Sequence, residues 1–142
     1  KVINAVGGDV RGKKIAVLGL TFKPNTDDMR DSPAIAIIQT LQDGGAKVVG
    51  YDPEGMANAR HLIEDIDYAT GPYEAAEGAD AVVIVTEWNQ FRALDLPRLK
   101  AIMKSPVLVD LRNIYRTDEV AAHGFIYAAV GRPQESGSDN DA

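Results

Sequence analysis

Short apolar runs, each followed by a stretch with helical patterning, constrain this chain more than any other feature. Ile15-Ala-Val-Leu-Gly-Leu20 follows the basic pair Lys13 and Lys14 and reads as a strand buried on both faces. Val48-Val-Gly-Tyr51, Ala81-Val-Val-Ile-Val85, Val107-Leu-Val109 and Phe125-Ile-Tyr-Ala128 read the same way, and Ile66-Asp-Tyr-Ala69 is a weaker candidate suited to a short edge strand. Between them, Ser32-Pro33 resembles an N-cap followed by a first helical residue. Ile35, Ile38 and Leu41 then recur at helical spacing, and Gly44-Gly45 stops the helix. Further helices are expected over Met56 to Ile63, Pro72 to Glu77, Leu94 to Met103 and Thr117 to Ala122. Strands alternating with helices require right-handed crossovers and a mostly parallel sheet. The expectation is therefore an α/β, Rossmann-like, three-layer domain with about six strands in the order 3-2-1-4-5-6. The first and fourth strands then lie side by side where the winding reverses, and a ligand belongs in the crevice at their carboxyl ends.

The residues past those strand ends decide what such a crevice can hold. A dinucleotide-binding turn needs Gly-x-Gly-x-x-Gly, so that the backbone can approach a pyrophosphate. After the first strand this chain has Gly19-Leu-Thr-Phe-Lys-Pro-Asn-Thr-Asp-Asp-Met-Arg-Asp-Ser-Pro33, which keeps only the first glycine. Asp52 stands at the end of the second strand, where a ribose-binding carboxylate would sit, but Asp52-Pro53 is better read as a capped turn. The loop after the first strand carries Lys23 and Arg30 among Asp27, Asp28 and Asp31. One reading is a solvated, self-neutralised loop; the other uses Phe22 and Lys23, at a strand's carboxyl end, to meet an anionic nucleotide. The fourth strand runs into Thr86-Glu-Trp-Asn89, with Trp88 read as packing. The fifth runs into Asp110-Leu-Arg112. Arg112 can fork onto a phosphate or pair with Asp110. His61 and His123 have no partner spacing for a metal or a catalytic triad, and Thr26-Asp-Asp28 lacks the remaining ligands of a calcium loop.

Composition removes several alternatives. Fifteen Lys and Arg against 21 Asp and Glu give a net charge of −6, so a basic nucleic-acid groove is not expected. There is no Cys, which excludes disulfides, thiolate metal sites and cysteine nucleophiles, and fits a cytoplasmic protein. No apolar run is long enough for a membrane span, and no signal peptide is visible. Residues 133–142, rich in Ser, Gly, Asp and Asn, are expected to be a disordered acidic tail. The chain opens on Lys1 rather than Met, as a piece of a longer protein would.

The run from Gly19 to Pro33 closely resembles the opening of the C-terminal, UDP-binding domain of the UDP-glucose/GDP-mannose dehydrogenase family. The resemblance continues through Tyr51-Asp-Pro53, Thr86-Glu-Trp88 and Val109-Asp-Leu-Arg112, and spans Lys13 to Arg132. It implies three parts: 1–12 as the end of an inter-domain helix or linker, 13–132 as the nucleotide-sugar domain, and 133–142 as the tail. Pro24-Asn25 and Met29 resemble the UDP-glucose branch, whose members oxidise UDP-glucose to UDP-glucuronate with two NAD. Siblings acting on UDP-N-acetylmannosamine or GDP-mannose remain the alternative, as does a stand-alone nucleotide-binding module. The resemblance further implies that Phe22, Lys23 and Arg112 contact the UDP-sugar. Arg30 would reach NAD held mainly by an N-terminal domain, which also carries the catalytic Cys. No catalytic residue and no metal ligand are expected in this segment. Its implied partners are UDP-glucose, the N-terminal NAD-binding domain and, in the whole enzyme, further copies of itself; neither nucleic acid nor a membrane is expected. Some relatives place Gly before the Arg corresponding to Arg112, where this chain has Leu111.

Overall fold

The computed structural model describes residues 10–20, 33–53, 66–86, 89–112 and 114–129. The strands are β1 (Lys14–Leu18), β2 (Lys47–Tyr51), β3 (Asp67–Tyr68), β4 (Ala81–Ile84), β5 (Val107–Asp110) and β6 (Ile126–Ala129). The helices among the described residues are α1 (Pro33–Asp43), α2 (Pro72–Ala76), α3 (Asn89–Arg92), α4 (Leu96–Ile102) and α5 (Thr117–Ala122). The strands form one sheet in the order β3-β2-β1-β4-β5-β6, and every neighbouring pair is parallel. The expected order is thus observed, with the two halves of the winding meeting between β1 and β4.

Continuous apolar strands are what a sheet covered on both faces demands, and the alternation of side chains sorts them into two cores. One face collects Ala16, Leu18, Val82, Ile84, Leu108 and Tyr127, covered by Ala75 and Ala76 of α2, Phe91 of α3, Leu99 of α4 and Val120 of α5. The other collects Ile15, Val17, Val83, Val109 and Ala128 under Ala34, Ile38 and Leu41 of α1. Val10, in the lead-in to β1, is buried in this second core.

Element ends follow local chemistry. Gly44 and Gly45 close α1: Gly45 N–H donates to the Gln42 carbonyl and Ala46 N–H to that of Leu41, a Schellman pattern. The helix expected over Leu94 to Met103 is α4, which begins only at Leu96, because Asp95 caps it by accepting from Arg98 N–H at 3.2 Å and Pro97 fits only the first turn. The short α3 before it was not expected. β1 ends at Leu18, two residues before the expected end, because Gly19 turns the chain at φ 100°. The expected helix over Met56 to Ile63 lies outside the described residues.

Candidate functional site

Because all six strands run the same way, their carboxyl ends share one edge. At the winding reversal, Gly19 N–H donates to the Tyr51 carbonyl at 2.8 Å and Val85 N–H to the Leu18 carbonyl at 2.9 Å. A Cβ at Gly19 would fall 2.5 Å from Thr86 N and 2.6 Å from Thr86 Oγ1. The one glycine kept from the dinucleotide-type turn thus lets β1 and β4 close on each other. Sequence reasoning missed this contact; only the pairing of β1 with β4 brings Thr86 to that place.

Asp52 is 2% exposed, and its Oδ2 accepts from Leu20 N–H at 2.7 Å. The carboxylate that would reach a ribose in a dinucleotide-binding domain is turned inward here. It fixes the first two residues of the loop that leads to Phe22 and Lys23. Leu20 itself is fully buried, with its methyl groups beside Gly50 of β2. For NAD bound in the ordinary Rossmann manner, the sequence lacks two of the turn's glycines, and one oxygen of the Asp52 carboxylate is taken by the Leu20 N–H.

One strand beyond β4, a second buried carboxylate organises the loop after β5. Asp110 is 0% exposed. Its Oδ1 accepts from Arg112 N–H at 3.0 Å, an Asx turn. Its Oδ2 accepts from Tyr115 N–H at 3.0 Å and from the Tyr127 hydroxyl at 2.7 Å. Arg112 stands exposed on this turn. The sequence left open whether Asp110 pairs with the Arg112 guanidinium. The bonds just described give its carboxylate to the main chain of the Arg112 loop and to a tyrosine from β6 instead. Leu111, where some relatives have Gly, anchors the same turn: its N–H donates to the Ile84 carbonyl at 3.0 Å and its side chain packs against the α1-side core. The Tyr115 hydroxyl donates to the Phe91 carbonyl, and burial pushes the Tyr115 phenol well above its ordinary range.

Beside the reversal, the Tyr51 hydroxyl donates to Gln90 Oε1 at 3.0 Å and its ring meets that of Phe91 edge to face, tying the end of β2 to α3. Phe22, Lys23 and Arg30 lie outside the described residues, as do Trp88 and His61. His123 is exposed after α5. Among the described residues, every buried side-chain nitrogen and oxygen has a hydrogen-bond partner, no group of three or more acidic or histidine side chains could hold a metal, and no helix is long and apolar enough to cross a membrane.

Residues 16–117 match the model of the UDP-glucose/GDP-mannose dehydrogenase family, UDP binding domain. The chain is 75% identical over 133 residues to a UDP-glucose 6-dehydrogenase of Rhizobium meliloti, covering 94% of this chain and 30% of that protein. It is 42% identical over 135 residues to UDP-glucose 6-dehydrogenase TuaD of Bacillus subtilis, covering 94% and 29%. Among solved structures it resembles a UDP-glucose dehydrogenase from Pyrobaculum islandicum, with a TM-score of 0.71 and 34% identity over 87% of this chain and 28% of that one. It also resembles a UDP-D-ManNAc dehydrogenase from Pyrococcus horikoshii, with a TM-score of 0.74 and 28% identity over 92% and 28%. The chain thus spans about 30% of the length of the curated relatives it matches. A parallel sheet wound 3-2-1-4-5-6, a first strand followed by Gly19 and then Phe22-Lys23 in place of two further glycines, and a family match over most of its length make this chain a member of the UDP-glucose/GDP-mannose dehydrogenase family, corresponding to that family's UDP binding domain.

Proposed function

We propose that this chain is the part of a UDP-glucose 6-dehydrogenase that holds the UDP-sugar. The whole enzyme would oxidise the C6 alcohol of UDP-glucose to the carboxylate, with two NAD accepting the electrons as hydride. The observation that carries this reading is the placement of the Arg112 turn: exposed, built on a buried carboxylate, and separated from the β1 loop by β4 alone. Neighbouring strands lie about 4.8 Å apart, so the carboxyl ends of β1 and β5 stand on the order of 10 Å apart. On this reading Lys23 and Arg112 converge on one diphosphate, Lys as a point charge and Arg as a planar fork, while Phe22 supplies an apolar face. The chain has no Cys. The covalent chemistry and the bulk of NAD binding therefore fall to an N-terminal domain, with Arg30 reaching across to the dinucleotide. The 75% identity to a protein named as a UDP-glucose 6-dehydrogenase, against 28% to the UDP-D-ManNAc enzyme, favours glucose as the sugar. In the full-length enzyme, cytoplasmic and oligomeric on this reading, calorimetric titration with UDP-glucose tests the assignment. Losing a hydrogen bond to a charged group costs about 1.5–3 kcal/mol. Arg112→Ala and Lys23→Ala should each weaken binding roughly ten- to a hundredfold. Wild-type affinity in both variants, with circular dichroism unchanged, would remove the nucleotide from this edge.

A further inference from the structure

We propose that Asp110 and Tyr127 are positioning residues for the nucleotide site, acting on the bound diphosphate through Arg112; the inference rests on the reading of Arg112 given above. Tyr127 is far from any expected ligand contact in the sequence. It lies inside β6, an edge strand, and is fully buried. Its hydroxyl nevertheless leaves the apolar core to meet the Asp110 carboxylate at 2.7 Å and the Tyr115 carbonyl at 3.2 Å. The Asp110 carboxylate receives three donors, and two of them are the main-chain N–H groups of residues 112 and 115. One buried anion therefore clamps both ends of the short turn that bears Arg112. The Tyr127 hydroxyl gives its one proton to that anion at 2.7 Å, with the Tyr115 carbonyl at the longer 3.2 Å, and so braces the clamp from β6. A flexible arginine on a loose turn must be ordered when ligand binds, and that ordering subtracts from affinity. A turn held by a carboxylate of zero exposure has its backbone ordered before the ligand arrives. The same network explains why a charge is kept inside the core at all: with three hydrogen bonds the carboxylate is compensated, and removing one weakens the clamp without emptying the site.

The test is a double-mutant cycle in the full-length dehydrogenase, read by calorimetric titration with UDP. Tyr127→Phe removes one oxygen and keeps the ring that fills the core. It should weaken UDP binding about tenfold in the wild-type background and leave it unchanged in Arg112→Ala, because the guanidinium it positions is gone. The apparent KM for NAD should not move. Equal weakening in both backgrounds, or none in either, overturns the positioning role while leaving Arg112 as a ligand contact. Wild-type UDP affinity in Arg112→Ala alone overturns the reading of the site and this proposal with it. Should Tyr127→Phe not yield folded protein, Asp110→Asn poses the same question, since it keeps the volume and replaces one acceptor oxygen by a donor facing N–H and O–H groups.

Discussion

Replacing Gly19 by Ala tests the physical reason for the chain's most particular turn. Two costs act there. At φ 100° an L side chain pays for a left-handed backbone, about 1–2 kcal/mol. The new Cβ would also sit 2.5 Å from a main-chain nitrogen, Thr86 N, which cannot swing aside as a flexible side-chain tip could. Overpacking of this kind costs about 1–3 kcal/mol. Together the loss is on the order of 2–5 kcal/mol, a large part of the roughly 5–15 kcal/mol that holds a domain folded. Gly12 provides the internal control: it has φ 74°, but a Cβ there would meet nothing within 4 Å. Gly12→Ala should therefore show only the backbone cost. With a urea slope of roughly 1–3 kcal/mol per M, the unfolding midpoint of Gly19→Ala should fall on the order of 1–2 M. It should fall further than that of Gly12→Ala by the overpacking term. Trimming Thr86 to Ala should not restore Gly19→Ala, because the nearest atom is main chain. Equal midpoints for the two glycine variants would refute the argument that β1 and β4 close too tightly at the winding reversal for any side chain.

The other predictions concern chemistry and pH. The purified 142-residue chain, given UDP-glucose and NAD, should form no NADH by absorbance, because it has no Cys nucleophile; measurable turnover would overturn the division of labour between domains. In the full-length enzyme, Arg30→Ala should raise the apparent KM for NAD more than that for UDP-glucose, and the reverse ranking in steady-state kinetics would reassign the residue. Burial raises the Tyr115 phenol, so the folded state favours its neutral form. That contribution is complete below the unfolded value of about 10 and declines as pH rises beyond it, where the unfolded tyrosine gives up its proton first. Urea midpoints measured from roughly pH 9 to 11 should fall with pH, and Tyr115→Phe should flatten the fall; an unchanged slope would contradict the burial argument.

Much of the architecture was legible in the residues alone because it rests on short-range rules. Apolar runs of strand length alternating with helical spacing demand a parallel sheet covered on both faces, and β1-to-β4 adjacency follows from the right-handed winding. Asp52-Pro53 was read as a capped turn, whereas its carboxylate accepts from Leu20 N–H, a partner from another strand's exit that no local rule supplies; the loss of two turn glycines was enough to question NAD in this crevice. The long Gly19-to-Pro33 signature carried the family, and the comparisons bear it out. What no spacing rule contains is which distant groups meet. Asp110 and Tyr127 are 17 residues apart, and Gly19 and Thr86 still farther, yet each pair is in direct contact. A buried tyrosine hydroxyl needs a partner. That much the chain's own residues determine; that the partner is Asp110 was decided by β6 pairing with β5, since only the assembled sheet brings a fully buried phenol to a fully buried carboxylate.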